Sequence, residues 1–104
     1  MMSLKTMGEP TVGVYQAALL DYLLRKDEAG LTSAYDLGRS GFDAGCGLLQ
    51  MLHVHEKALG IILDSAPIDH DIRNRVNASA RFLSEALSPF EMASFGYRDF
   101  LKGH

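Results

Sequence analysis

Two histidines, His53 and His55 in the run His53-Val54-His55-Glu56, are the side chains here best suited to metal or phosphoryl chemistry. Helical metal ligands usually sit four residues apart, because that spacing places both on one face. At a spacing of two they point about 160° away from each other, so a zinc site is not expected. His53 is expected on the surface. His55 falls in an apolar seam, where a neighbour is expected to hydrogen-bond it. The single cysteine, Cys46, lies between Gly45 and Gly47 with no histidine at a fixed spacing, and reads as a loop thiol. Ser33, Ser40, Ser79, Ser84 and Ser88 lack the strand-turn-helix setting of a nucleophile elbow. No paired carboxylates and no phosphate-cradling glycine loop stand out. No catalytic residue, metal ligand, cofactor site or small-molecule substrate site is therefore assigned.

Phosphotransfer needs a separate test. His55-Glu56 is similar to the His-acid pair of dimerising histidine-kinase helices, but Lys57, Ala58 and Leu59 stand where that family places a small residue and a proline. A phosphotransfer domain places lysine and glycine three and four residues after an exposed histidine. The corresponding residues are Glu56 and Lys57 from His53, and Ala58 and Leu59 from His55. A histidine phosphotransfer module therefore remains only an alternative, behind a structural helical dimerisation unit with no external partner.

The composition narrows the classes further. Of 104 residues, 47% are apolar and the mean hydropathy is zero, a globular balance. A net charge of −3 offers no electrostatic footprint for nucleic acid. The arginines between Arg73 and Arg81 are flanked by Asp69, Asp71 and Glu85 and read as a solvated helix face. One cysteine precludes an internal disulfide and fits a reducing compartment. No run approaches the roughly 20 apolar residues of a membrane span, and the first ten residues lack a signal-peptide core. A cytoplasmic location with no membrane partner is expected.

Four helical stretches must position these residues. Residues 1–10 read as a disordered arm, and 11–104 as one helical domain. Thr11 is a candidate N-cap for a helix to Lys26, with Val12, Tyr15, Leu19 and Tyr22 on one face and Val14, Ala18, Leu20, Leu23 and Leu24 filling much of the rest. A helix apolar on nearly all sides is buried on more than one face, and in a chain this short a second subunit is the expected cover. Asp27 to Gly30 reads as a turn. A second helix spans Leu31 to Asp43 with Tyr35, Leu37 and Phe42 as its apolar contacts. Gly38 and Gly41 weaken it by about 1 kcal/mol each, which suits a helix held by close backbone packing.

The third helix, Leu48 to Asp64, has the seam Leu48, Leu52, His55, Leu59 and Ile62. The fourth, from His70 with Asp69 as its cap, carries Ile72, Val76, Ala80, Leu83, Leu87 and Phe90, continuing in phase through Ala93, Tyr97 and Leu101. Pro89 removes a backbone donor and clashes with the preceding turn. The expectation is a long helix bent or briefly broken at Ser88–Pro89, with Ser88 capping a restarted arm. The fold class is all-α, a bundle of four to five helices. Its core and dimer contacts are expected from Tyr15, Leu19, Tyr22, Leu23, Leu83, Leu87, Phe90 and Tyr97.

Four blocks carry a family resemblance: VYQAALLDYLL, SAYDLGR, LLQMLHVHEKAL and RFLSEALSPFEMASFGYRDF. The last is the most specific, since helix formation alone does not require its Ser-Pro-Phe-Glu-Met element or the following Gly96-Tyr97-Arg98. Together they resemble the N-terminal domain of RsbU-type serine phosphatases. The resemblance implies a four-helix homodimer of the kind shared with the C-terminal domain of the clock protein KaiA. It further implies a docking face for a switch-kinase-like protein, formed by the second and last helices and including Tyr35, Ser84 and Ser88 here. In that family, docking activates a PP2C-like phosphatase farther along the chain, which acts on an anti-anti-sigma factor. None of the acidic metal-binding motifs of such a phosphatase occurs within these 104 residues. The chain is therefore expected to be a sensor region or stand-alone regulator, not the enzyme.

Overall fold

The computed structural model describes residues 11–65 and 71–102, the last eight of them as backbone only. Within these residues the chain forms four helices and no strand: α1 (Val12–Arg25), α2 (Glu28–Asp43), α3 (Leu48–Ser65) and α4 (Ile72–Lys102). The expected arm at 1–10, the Asp69 cap and the side chain of Tyr97 lie outside the described residues.

Local chemistry sets the first boundaries. The Thr11 hydroxyl accepts the Val14 N–H at 3.2 Å, satisfying one of the orphan donors that open α1. At the other end Lys26 turns left-handed at φ 53°, a conformation that costs a side-chain-bearing residue about 1–2 kcal/mol. Its N–H closes on the Tyr22 carbonyl at 2.6 Å.

Asp27 then caps α2, its carboxylate accepting the Gly30 N–H at 3.0 Å. The stretch read as a turn from Asp27 to Gly30 is therefore the first turn of α2, which begins three residues earlier than its apolar pattern suggests. Gly30 serves packing here, because an added Cβ would lie 2.6 Å from the Tyr22 ring. After α2, Gly45 at φ 87° and Cys46, whose N–H bonds the Gly41 carbonyl at 2.8 Å, turn the chain into α3. The Cys46 side chain is buried.

Helix directions follow from paired residues. Gly38 faces Ala86 and Phe42 meets Phe90 edge-on at 5.5 Å, so α2 and α4 run parallel. Tyr15 reaches His55, and Leu23 and Leu24 share a groove with Ile62, so α1 and α3 also run parallel, opposite to the first pair. At Gly38 the backbones meet so closely that a Cβ would collide with the Ala86 carbonyl. At Gly38 this is the close approach expected of a glycine in α2.

The centre of the core is Phe82, fully buried and set edge-on to Tyr15 at 5.2 Å and tilted against Tyr22 at 6.0 Å. The inward row of α4 is Ala78, Ser79, Phe82, Ala86 and Pro89. The seam read from the sequence lies on its flank, with Ile72, Val76 and Ala80 exposed and Leu83, Leu87 and Phe90 half-buried. The inward row of α2 is likewise Gly30, Ala34, Gly38 and Gly41, with Tyr35 and Leu37 at its edges and Phe42 partly exposed. Small residues face small residues, and the aliphatic side chains are left along the sides.

The 31 residues of α4 form one continuous helix with Pro89 inside it. The restart with Ser88 as N-cap does not occur, because Ser88 is itself helical. At 1.5 Å per residue α4 is about 46 Å long, and beyond Phe90 it runs past the end of α2.

Candidate interaction surfaces

The residues with chemical potential resolve first. His53 is exposed and His55 is buried at 6% exposure, so the two lie on different faces, as their spacing requires. The Tyr15 hydroxyl pairs with His55 Nδ1 at 2.7 Å, and the rings stand edge-to-face. This is the neighbour bond expected for His55. Burial raises the Tyr15 phenol above its ordinary range. Burial also pushes the His55 imidazole down, while the negative charge of Glu56 pulls the other way. Among the described residues no group of three or more His, Cys, Asp or Glu side chains is gathered as a metal site, and no helix is long and apolar enough to cross a membrane.

Tyr35 on α2 and Ser84 and Ser88 on α4 do not share one groove. Tyr35 is half-buried and lines a groove with Glu28, Leu31, Thr32 and Glu85. Its hydroxyl, followed by nearby Asp43, holds the Arg39 guanidinium above its ordinary value. Arg39 Nε lies 3.4 Å from the Asp43 carboxylate. Ser84 is exposed on another flank of α4, in a groove shared with Leu48, Leu87, Phe90, Glu91 and Ser94. Ser88 is half-buried one turn farther along.

Of the residues assigned to core and dimer contacts, Tyr15, Leu19, Tyr22 and Leu23 are buried, while Leu83, Leu87 and Phe90 are half-buried. Sequence reasoning missed Phe82, the hub of the core. Its available signal was an aromatic one turn from alanines at 78 and 86, a row poor in apolar mass and therefore passed over.

Large apolar side chains remain outside. On α1, Leu20 is 41% and Leu24 76% exposed; on α4, Ile72 is 49% and Val76 41% exposed. Leu20, Leu24 and Ile62 form an apolar depression edged by Gln16, Ser65 and Arg75. Monomeric surfaces rarely keep contiguous apolar patches of more than a few hundred Å².

The class defined by this fold is a small all-helical domain. Over residues 13–93 the chain matches the family described as phosphoserine phosphatase RsbU, N-terminal domain, and it belongs to that family. No curated protein and no solved structure matched the chain. The family is one of regulatory N-terminal domains in sigma-factor pathways. The match is to the N-terminal domain of the phosphatase.

Proposed function

We propose that this chain is a non-catalytic signalling input domain of a cytoplasmic bacterial stress pathway. It forms a homodimer and binds a switch-kinase-like protein to regulate a PP2C-type phosphatase or another effector. The observation that carries the reading is the apolar surface left over after the bundle closes, above all Leu20 and Leu24 on α1 with Ile72 and Val76 on α4. A second copy covers that surface and removes it from water, at about 25 cal/mol per Å² of apolar area. The partner docks on the outer side of α2 and α4, at Tyr35, Ser84 and Ser88. Serines at 84 and 88 offer this docking few methylenes, so Tyr35 supplies most of its apolar contact. A bend in α4 at Ser88–Pro89, where the Glu85 carbonyl loses its usual N–H partner, sets the direction of the outgoing arm.

Sedimentation equilibrium at micromolar concentration tests the dimer. The expected result is a mass twice that of the chain, reduced to the monomer in a Leu20→Glu, Leu24→Glu double variant. A wild-type protein that is monomeric throughout would remove the dimer. Titration calorimetry with the cognate switch kinase tests the docking face. Tyr35→Ala is expected to weaken binding at least tenfold without altering the sedimentation profile.

A further inference from the structure

The α1–α3 pair is held by one buried polar tie. Tyr15 is fully buried and His55 nearly so, and the phenol oxygen is 2.7 Å from Nδ1. Burial keeps the phenol protonated, and Nδ1 is the hydrogen-bond partner its hydroxyl has among the described residues, so we assign the phenol as donor and Nδ1 as the lone-pair acceptor. The imidazole is then neutral, with its hydrogen on Nε2. A proton arriving at Nδ1 would set two donors face to face. The Tyr15 hydroxyl would have to turn and accept, and its own hydrogen would need a new acceptor inside an apolar core.

The surroundings offer the cation little. The Tyr15 ring of α1 stands edge-on to the imidazole, Phe82 of α4 stands edge-on to Tyr15 in turn, and the core they belong to, with Leu19, Ala34 and Ala86, carries no charge. On α3 itself Glu56 is adjacent, but its carboxylate is exposed and screened by water. Among the described residues the remaining titratable neighbour is Tyr15.

We propose that the Tyr15–His55 pair is an acid-sensitive latch, which in mild acid releases α1 from α3 while the α2–α4 pair stays closed. The two pairs differ in what holds them. The α2–α4 contact is glycine against backbone at Gly38 and Ala86, and the carboxylates along that seam, Glu28 and Glu85, line a surface groove instead of the buried core. The α1–α3 contact has an imidazole at its centre. A releasable α1 makes acidification of the cell interior an input to this domain. The latch belongs to the protomer core and stands independently of the dimer and docking surfaces proposed above.

The sign follows from linkage. The native His55 is held below its ordinary value near 6.5, so between that native value and 6.5 the unfolded chain binds a proton that the native chain does not. Stability is complete above pH 6.5 and falls as the pH drops below it. The experiment is hydrogen exchange read by mass spectrometry on the wild-type chain at pH 7.5 and 5.5, normalised for intrinsic exchange, with an NMR titration of the histidine side chains. The expected result is a loss of protection in α1 and α3 of up to about tenfold at pH 5.5, ahead of any loss in α2 and the first half of α4. His55 should stay in the Nε2–H neutral form until that loss begins. His55→Gln should abolish the pH dependence, and His53→Gln, at an exposed position, should retain it. Uniform loss across all four helices, no loss at all, or His55 becoming a cation while α1 stays protected would each overturn the latch. Because the titration uses wild-type protein, the test survives a His55 variant that fails to fold.

Discussion

Phe82 makes contact with both tyrosines of α1 and has no exposed surface. Its truncation should therefore open a cavity that no neighbour fills by a small shift. Phe82→Ala is expected to cost about 3–5 kcal/mol, read as a lower urea midpoint at unchanged slope. Leu83→Ala, one residue along and half-buried, should cost clearly less in the monomer. Equal effects at the two positions would mean that the inward row of α4 has been misassigned. Gly38→Ala is a second test at this scale. Alanine is the better helix former by about 1 kcal/mol, yet its Cβ would meet the Ala86 carbonyl. Forcing the two backbones apart is expected to cost about 1–3 kcal/mol, so the net effect is destabilising. A rise in the urea midpoint would show that the helices can separate freely.

At the scale of elements, α4 carries the distinctive behaviour. Its helix passes through Pro89 without interruption, although proline deprives the Glu85 carbonyl of a donor and crowds the previous turn. The Ser-Pro-Phe-Glu pattern resembles a helix start but lies in mid-helix, because Pro89 is buried and Phe90 is held against Phe42. Tertiary contact on both sides of the proline outweighs the local signal. On the proposed bend at Ser88–Pro89, Pro89→Ala straightens α4 and lengthens the particle in small-angle scattering. Unchanged dimensions would show that the helix is already straight. The same competition moved the start of α2, where an Asp27 cap and a Tyr22 ring over Gly30 made helix from residues whose types suggest a turn.

For the whole molecule, much was legible from residue types and periods. Thr11 marked the first cap, Gly45-Cys46-Gly47 marked a break, and the two-residue spacing separated His53 from His55. The four quoted blocks pointed to the family that the chain matches over residues 13–93. Those features are local, and short-range sterics and hydrogen bonding suffice to set them.

The choice of which apolar row on α4 faces inward was not local. Ile72, Val76, Leu83, Leu87 and Phe90 outweigh Ala78, Ser79, Phe82, Ala86 and Pro89 in apolar mass, and a single helix read alone would bury the heavier row. The lighter row is buried because α2 presents Gly38 and Gly41, and backbones in near contact accept only small residues between them. That constraint belongs to the pair of helices and cannot be read from either sequence separately. Tertiary structure likewise decided that the phenol reaching His55 comes from Tyr15, forty residues away, since only packing α1 against α3 brings the two together. The sequence by itself thus determined the four helices, the Thr11 cap, the break at Gly45–Gly47 and the family, while the tertiary structure decided where α2 begins, that α4 runs through Pro89, and which flanks are spent on the core.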